Sequence, residues 1–253
     1  MMRRLLPRCL VLLALSGAAP GALAAPLISP SGDTVPENLL RIELQLDAPL
    51  AGQLDMRHVM LVDGTGTPIR DALLDIPLAS RDRTRVSILL HPGRIKTGVG
   101  PNVALGMALH QGTTLVLRID DPQLPQPLRK SWTVVAPASE NIDVNRWVIQ
   151  APAAATRKPL LVAFPAALDA GAVGMIAVAA PDGGRLDGRA KLVHGEMQWQ
   201  FIPTHPWRAG DYQVRAHPEI EDPQGNRMCS AFEQVQQSGK ACRGDGVLDF
   251  SVR

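Results

Sequence analysis

Aromatic rings, cysteines, unbalanced charge and long apolar runs are all scarce in this chain, and each shortage removes a class of function. Only 4% of the residues are aromatic, with four Trp, four Phe and a single Tyr, too few for a sugar-gripping platform of exposed rings. Arg3, Arg4 and Arg8 account for three of the 26 basic residues, and the other 23 face 24 acidic ones, a formal net of −1. Past its first residues the chain therefore has no excess of positive charge with which to hold nucleic acid or an anionic membrane. His58, His91, His110, His194, His205 and His217 are the six histidines, and none pairs with another at metal-ligand spacing. His-Glu-x-x-His, Cys-x-x-Cys, Gly-x-Ser-x-Gly and a Gly-rich phosphate loop are all missing. Gly98-Val99-Gly100 lacks the later Gly and the Lys-Ser/Thr of a nucleotide loop, and reads as a joint. No cofactor is implied.

The first residues have a pattern of their own. Arg3, Arg4 and Arg8 precede an apolar stretch from Leu10 to Leu15, and Ala22-Leu23-Ala24 follows as a small-x-small step. That order predicts a secretory signal peptide over 1–24, cut between Ala24 and Ala25. The apolar stretch falls short of the roughly 20 residues that span a bilayer, so no transmembrane segment is expected in the mature chain. Cys9 lies too early to be a lipid-attachment site.

Beyond the leader the apolar residues alternate. Leu40, Ile42, Leu44 and Leu46 interleave with Arg41, Glu43, Gln45 and Asp47, a period of two that marks a half-buried strand. Met197, Trp199 and Phe201 repeat the pattern, as do Leu248, Phe250 and Val252. Further strands are predicted at 58–63, 85–90, 113–119, 131–135, 147–150, 160–164, 174–179, 189–193 and 211–216. Gly and Pro, 22 of each, are scattered between them in turn sequences such as Asp63-Gly64 and Pro181-Asp182-Gly183-Gly184. Many short strands separated by such turns predict an all-β sandwich architecture.

The order of features occurs twice. Trp199 to Asn226 holds a strand, a Pro-rich corner, Gly210, a second strand and Asp222-x-x-Gly225-Asn226. Val86 to Gln123 holds a strand, His91-Pro92, Gly112, a strand and Asp121-Pro122-Gln123. The repeat predicts two similar β-sandwich domains, 26–138 and 142–253, divided at the proline-bearing Ala136–Asn141. One stretch has no counterpart: near 92–112 the first unit carries an insertion. There Asn102 reads as an N-cap before a short helix from Val103 to Leu109, either plugging one end of the sandwich or offering a partner surface.

At these residues the chain resembles the bacterial Ig-like domain family of S-layer and other exported proteins. The matching positions are Ser29-Pro30-Ser31-Gly32-Asp33-Thr34-Val35-Pro36-Glu37-Asn38 and the strand from Leu39 to Leu50. In the second unit they are Pro203, Gly210, Tyr212 to Val214 and Asp222 to Asn226. In the first unit Leu124-Pro125 stands where the family has Gly-Asn. The resemblance implies two Ig-like sandwiches in an exported scaffold or adhesion-type module. It carries over no catalytic or binding residue, because the shared positions are turn and core positions.

Acidic turns at Asp120-Asp121, Asp182 with Asp187, and Glu219, Glu221 with Asp222 raise calcium as a ligand. None has the carboxylate density of a dedicated loop, so solvated turn carboxylates are expected, with Asp222 capping its own turn. Cys229 and Cys242 are the only cysteines past the leader. An exported chain with one such pair predicts a disulfide. The sequence thus reads as a non-enzymatic exported module, binding or structural, periplasmic or extracellular, acting on an unidentified protein or envelope component. The rival reading is an envelope hydrolase whose polar groups converge only in the fold, with His205 or His91 at the Pro-rich corners as first candidates.

Overall fold

The computed structural model of the chain describes residues 26–95, 100–228 and 246–253. Its first half runs β1 (Leu27–Ser29), β2 (Thr34–Pro36), β3 (Arg41–Gln45), β4 (Val59–Asp63), β5 (Leu78–Ala79), β6 (Arg85–Leu89), α1 (Pro92–Ile95), α2 (Gly100–Leu105), β7 (Thr114–Ile119) and β8 (Leu128–Val135). These strands form two sheets, ordered β1-β3-β6-β5 and β2-β8-β7-β4. The chain switches sheets after β1: β1 pairs antiparallel with β3, while β2 pairs parallel with β8. Trp132 of β8 is buried at this crossing and donates its indole N–H to the Pro30 carbonyl at 2.8 Å.

The second half runs β9 (Val148–Gln150), β10 (Leu160–Ala163), β11 (Ile176–Ala179), β12 (Gly188–Val193), β13 (Gln198–Pro203), β14 (Gly210–Ala216) and β15 (Val247–Val252). Its sheets are β12-β13-β10-β9 and β11-β14-β15. With the strands lettered A to G in chain order, the sheets of this half are ABED and CFG, the arrangement of the immunoglobulin constant type. The first half has the same layout, with the split first strand joining β8. Tyr212, two residues into β14, donates its hydroxyl to the Arg208 carbonyl at 3.0 Å, the tyrosine corner of Ig sandwiches.

Each sandwich encloses its own core, built by the inward residues of the alternating strands. The first is almost wholly aliphatic around Ile42, Leu44, Val86, Ile88, Leu115 and Leu117. The second is aromatic: Trp199, Phe201, Trp207, Tyr212 and Phe250 form a chain of ring contacts with centroids 5.4 to 6.2 Å apart. The aromatic rings among the described residues are all buried and serve packing.

The insertion differs from its expected form. The helix α2 ends at Leu105, four residues before Leu109, and Asn102 lies inside it rather than at its cap. Gly106 stops it by turning to φ +74 while its N–H bonds the Asn102 carbonyl at 2.8 Å, the left-handed end that glycine adopts without steric cost. The exit points Val103 and Leu105 outward and returns the chain to bury Ala108 and Leu109. Arg94 of α1 is buried beneath this corner and donates to the carbonyls of Gly106 (2.8 Å), Met107 (3.3 Å) and Arg70. Strands β1, β2 and β5 add to those predicted; with three, three and two residues, they are too short to show a period.

Candidate functional site

The two sandwiches meet along a polar junction, and a groove opens beside it. In the second sandwich the B–C connection, the D–E turn and the described part of the F–G connection, up to Met228, each supply residues that meet the first sandwich. The D–E turn contributes Glu196, buried, whose two oxygens accept from the Ser29 hydroxyl (2.9 Å) and the Ser31 N–H (2.8 Å). The B–C connection contributes Asp169, which accepts from the Gly171 N–H at 2.8 Å, so capping a 3₁₀ turn at Ala170–Gly174, and pairs with Arg41 of β3 at 3.2 Å.

The F–G connection supplies the rest. Glu221 receives Arg41 on one oxygen and Arg227 on the other, the latter at 2.6 Å. Asp222 caps its own turn, as expected, accepting from the Gln224 N–H (3.0 Å) and the Asn226 N–H (2.8 Å). The side-chain amide of Asn226 adds a bond at 2.8 Å. Burial nonetheless pushes the Asp222 carboxyl above its ordinary value, against those hydrogen bonds. Asp121, at the matching turn of the first sandwich, has the opposite shift. Burial raises it, but N–H donors from Asp55 and Gln123, both at 2.9 Å, prevail and hold it below. The difference is location: the Asp222 turn is buried whole, from Asp222 to Asn226, and its Pro223 carbonyl accepts the Leu40 N–H at 2.9 Å.

Of the acidic residues considered for calcium, Asp121, Asp182, Glu219, Glu221 and Asp222 are engaged by arginine or backbone N–H groups. Among the described residues no group of three or more His, Cys, Asp or Glu is placed to hold a metal ion. His91 accepts from the Gly93 N–H at 3.0 Å, His205 is exposed, and neither pairs with a carboxylate among the described residues. The histidines that approach one are His58, 3.9 Å from Asp55, and His110, 3.9 Å from Glu37, both open to solvent. The signal peptide over 1–24 and the Cys229–Cys242 pair lie outside the described residues.

The groove has a volume of about 670 Å³. Its floor is the outer face of the β1-β3-β6-β5 sheet, where register aligns Ser29, Glu43, Ser87 and Leu78 in one row across four strands. Leu27, Gln45 and Arg85 flank that row, and Ala190, Lys191 and Leu192 of β12, with Val173, form the opposite wall. Glu43 is the chemically distinct member. Burial pushes its carboxyl above the ordinary value, a hydrogen bond from Ser87 opposes this, and repulsion from Asp169 reinforces it. No cation stands within ion-pair distance of Glu43 among the described residues. Sequence reasoning missed this site: Glu43 looked like any outward residue of an alternating strand.

No protein-family model matches the chain, and no curated protein sequence does either. Similarity to solved structures is partial. The BSP domain of a biofilm-associated protein aligns with 77% of this chain at 12% identity and a TM-score of 0.28. The chain spans 27% of that protein's length. Native alpha-2-macroglobulin from Escherichia coli, spanning domains MG0-NIE-MG1, aligns with 91% of this chain and 71% of its own, at 11% identity and a TM-score of 0.25. A chimeric titin Z1Z2 aligns with 78% of this chain and 91% of its own, at 10% identity and a TM-score of 0.22. These superpositions transfer no site and no role. No helix among the described residues is long and apolar enough to cross a membrane.

Proposed function

We propose that the chain is a non-enzymatic binding module of the cell envelope, exported by the leader over 1–24, whose ligand site is the groove between its two sandwiches. The observation that supports this most is the groove itself, about 670 Å³ of preformed concave surface with Glu43 half-buried on its floor. At the loop end by which Ig-type sandwiches often recognise partners, Asp169, Glu196 and Glu221 of the second sandwich are engaged with the first. The groove adds a sheet face and the edge beside it.

The units 26–138 and 142–253 serve in this account as two domains with separate cores, fixed to one another by the carboxylates Asp169, Glu196 and Glu221. Cys229 and Cys242 form a disulfide in the oxidising compartment, closing a loop whose bridging contributes on the order of 3 kcal/mol. The partner is a protein or other envelope component, and recognition requires no cofactor.

A photo-crosslinking residue at position 78 or 191, in the exported protein in its native cell, tests this. Both positions line the groove, whereas Arg129 is exposed on the other sheet of the first sandwich. The groove positions should capture a discrete envelope species and position 129 should not. Capture from 129 alone would overturn the reading.

A further inference from the structure

We propose that the groove takes an extended polypeptide segment that pairs its backbone with the free edge of β12 and lays a lysine or arginine side chain against Glu43. This rests on the reading of the groove as the binding site and names its occupant.

Among the described residues the strand β12 is the last of its sheet and pairs only with β13, from Gly188↔Pro203 to Val193↔Gln198. Its other edge therefore carries backbone donors and acceptors with no strand of the described residues beside them, and Ala190, Lys191 and Leu192 line the groove. An open edge is a template for an added strand, whose affinity comes from main-chain hydrogen bonds and whose selectivity comes from alternate side chains. Arg189 and Lys191 stand on this strand, and like charges directly opposite one another are destabilising. A second copy of β12 is thus a poor occupant, and a different chain is favoured.

The floor supplies the selectivity. Glu43 is half-buried; the charged groups that act on it are the carboxylate of Asp169, itself paired with Arg41, and at longer range the guanidinium groups of Arg41 and Arg85. Ser87 offers Glu43 a hydroxyl but no charge. Arg41 and Arg85 act on Glu43 from a distance, but no cation among the described residues pairs with it directly, and a cationic side chain entering from above supplies that contact in the charge-assisted form that carboxylates make most strongly. Leu78, at one end of the row, and Leu27, beside its other end, are 51% and 52% exposed and offer apolar surface to neighbouring side chains.

The test uses the full exported protein and a blocked heptapeptide of alternating threonine and valine with one central lysine. Three relatives accompany it: the same peptide with glutamate at the centre, with norleucine at the centre, and with alternate backbone nitrogens methylated. Binding is followed by amide chemical shifts and by hydrogen exchange. The lysine peptide should bind, perturb and protect amides of Gly188–Val193, and lose affinity about tenfold on Glu43→Gln, the loss of one charge-assisted contact. The norleucine peptide should be indifferent to Glu43→Gln, and the glutamate and N-methylated peptides should bind far more weakly than the lysine peptide. Equal binding of lysine and glutamate peptides, no effect of N-methylation, or no binding at millimolar peptide would overturn the inference. So would concentration-dependent self-association that protects the same amides. If the peptides fail while crosslinkers at 78 and 191 still capture an envelope species, the inference falls and the groove remains the binding site.

Discussion

Gly195 of the second sandwich and Gly32 of the first touch backbone to backbone: a Cβ on Gly195 would lie 3.1 Å from the Gly32 Cα. Gly195 also sits at φ +67, between His194 and Glu196, so it forms the tip of the turn that delivers Glu196 to Ser29. Two physical demands meet at one residue, a left-handed backbone and room for a neighbouring chain. Gly195→Val should therefore cost about 2 kcal/mol or more, from strain at a special backbone position together with the contact. Chemical denaturation of the exported protein measures it, and a change within about 0.5 kcal/mol, as for ordinary surface substitutions, would show the junction to be looser than described.

Arg41 is the residue of the first sandwich that ties two carboxylates of the second. Its side chain is 21% exposed, and those of Asp169 and Glu221 are 13% and 18% exposed. Such pairs sit between surface bridges, worth about 0–1 kcal/mol, and buried ones, whose rupture costs about 3–5 kcal/mol. Arg41→Ala should lower stability by about 1–2 kcal/mol. Arg146→Ala removes a far more open pair with Glu140 and should leave stability nearly unchanged. If the two substitutions have equal effects, the junction ion pairs are not structural.

Glu43 makes a pH prediction of definite sign. Its carboxyl is raised above 4.5, first by burial, so the folded chain holds this proton more tightly than the unfolded chain does. The stability it contributes is fully present below pH 4.5 and is lost as pH rises through the folded value. Glu43→Gln should accordingly melt higher than the parent at pH 7, with the gap closing toward pH 4. Asp222 is shifted in the same direction and Asp121 in the opposite one, so the pH dependence of the parent alone is a mixture of signs. The difference between parent and variant isolates Glu43, and a lower melting temperature at pH 7 for Glu43→Gln would refute the upward shift of its carboxyl.

Most of the strand framework was legible in the sequence because half-buried strands alternate. Arg41–Gln45, Arg85–Leu89 and Gln198–Pro203 each bury every second residue. The Asp222 turn was legible too, since Asp-Pro-Gln-Gly-Asn has few conformations. The helix in the insertion was misplaced because Gly106 ends it, while the buried Ala108 and Leu109 mimic the continuation of an apolar face. The groove was not legible. Ser29, Glu43, Ser87 and Lys191 are brought together by register across one sheet and by the packing of a second, and neither relation leaves a local pattern. Glu219, Glu221 and Asp222 did stand out, but as a sparse calcium pattern; Arg41 and Arg227, their actual partners in part, are distant or generic in sequence.

Cys229 and Cys242 give a prediction independent of the groove. On the proposed reading of residues 1–24 as a cleaved leader, no third cysteine competes and the compartment has no reducing pool. The native exported protein should show no titratable thiol without reductant. The double substitution Cys229→Ser with Cys242→Ser should stay folded, melt lower and be cut faster near Gln236. Two reactive thiols in the native protein would refute the bridge.

The central claim is that the two sandwiches are fixed to one another so that the groove is a standing feature of the free protein. Spin labels on non-natural residues at positions 65 and 182, exposed turn sites on the first and second sandwich, report this directly through pulsed dipolar spectroscopy. A single narrow distance distribution is predicted for the parent, with broadening on Arg41→Ala combined with Gly195→Val. A broad distribution in the parent itself would mean that the sandwiches move independently, and would contradict the account.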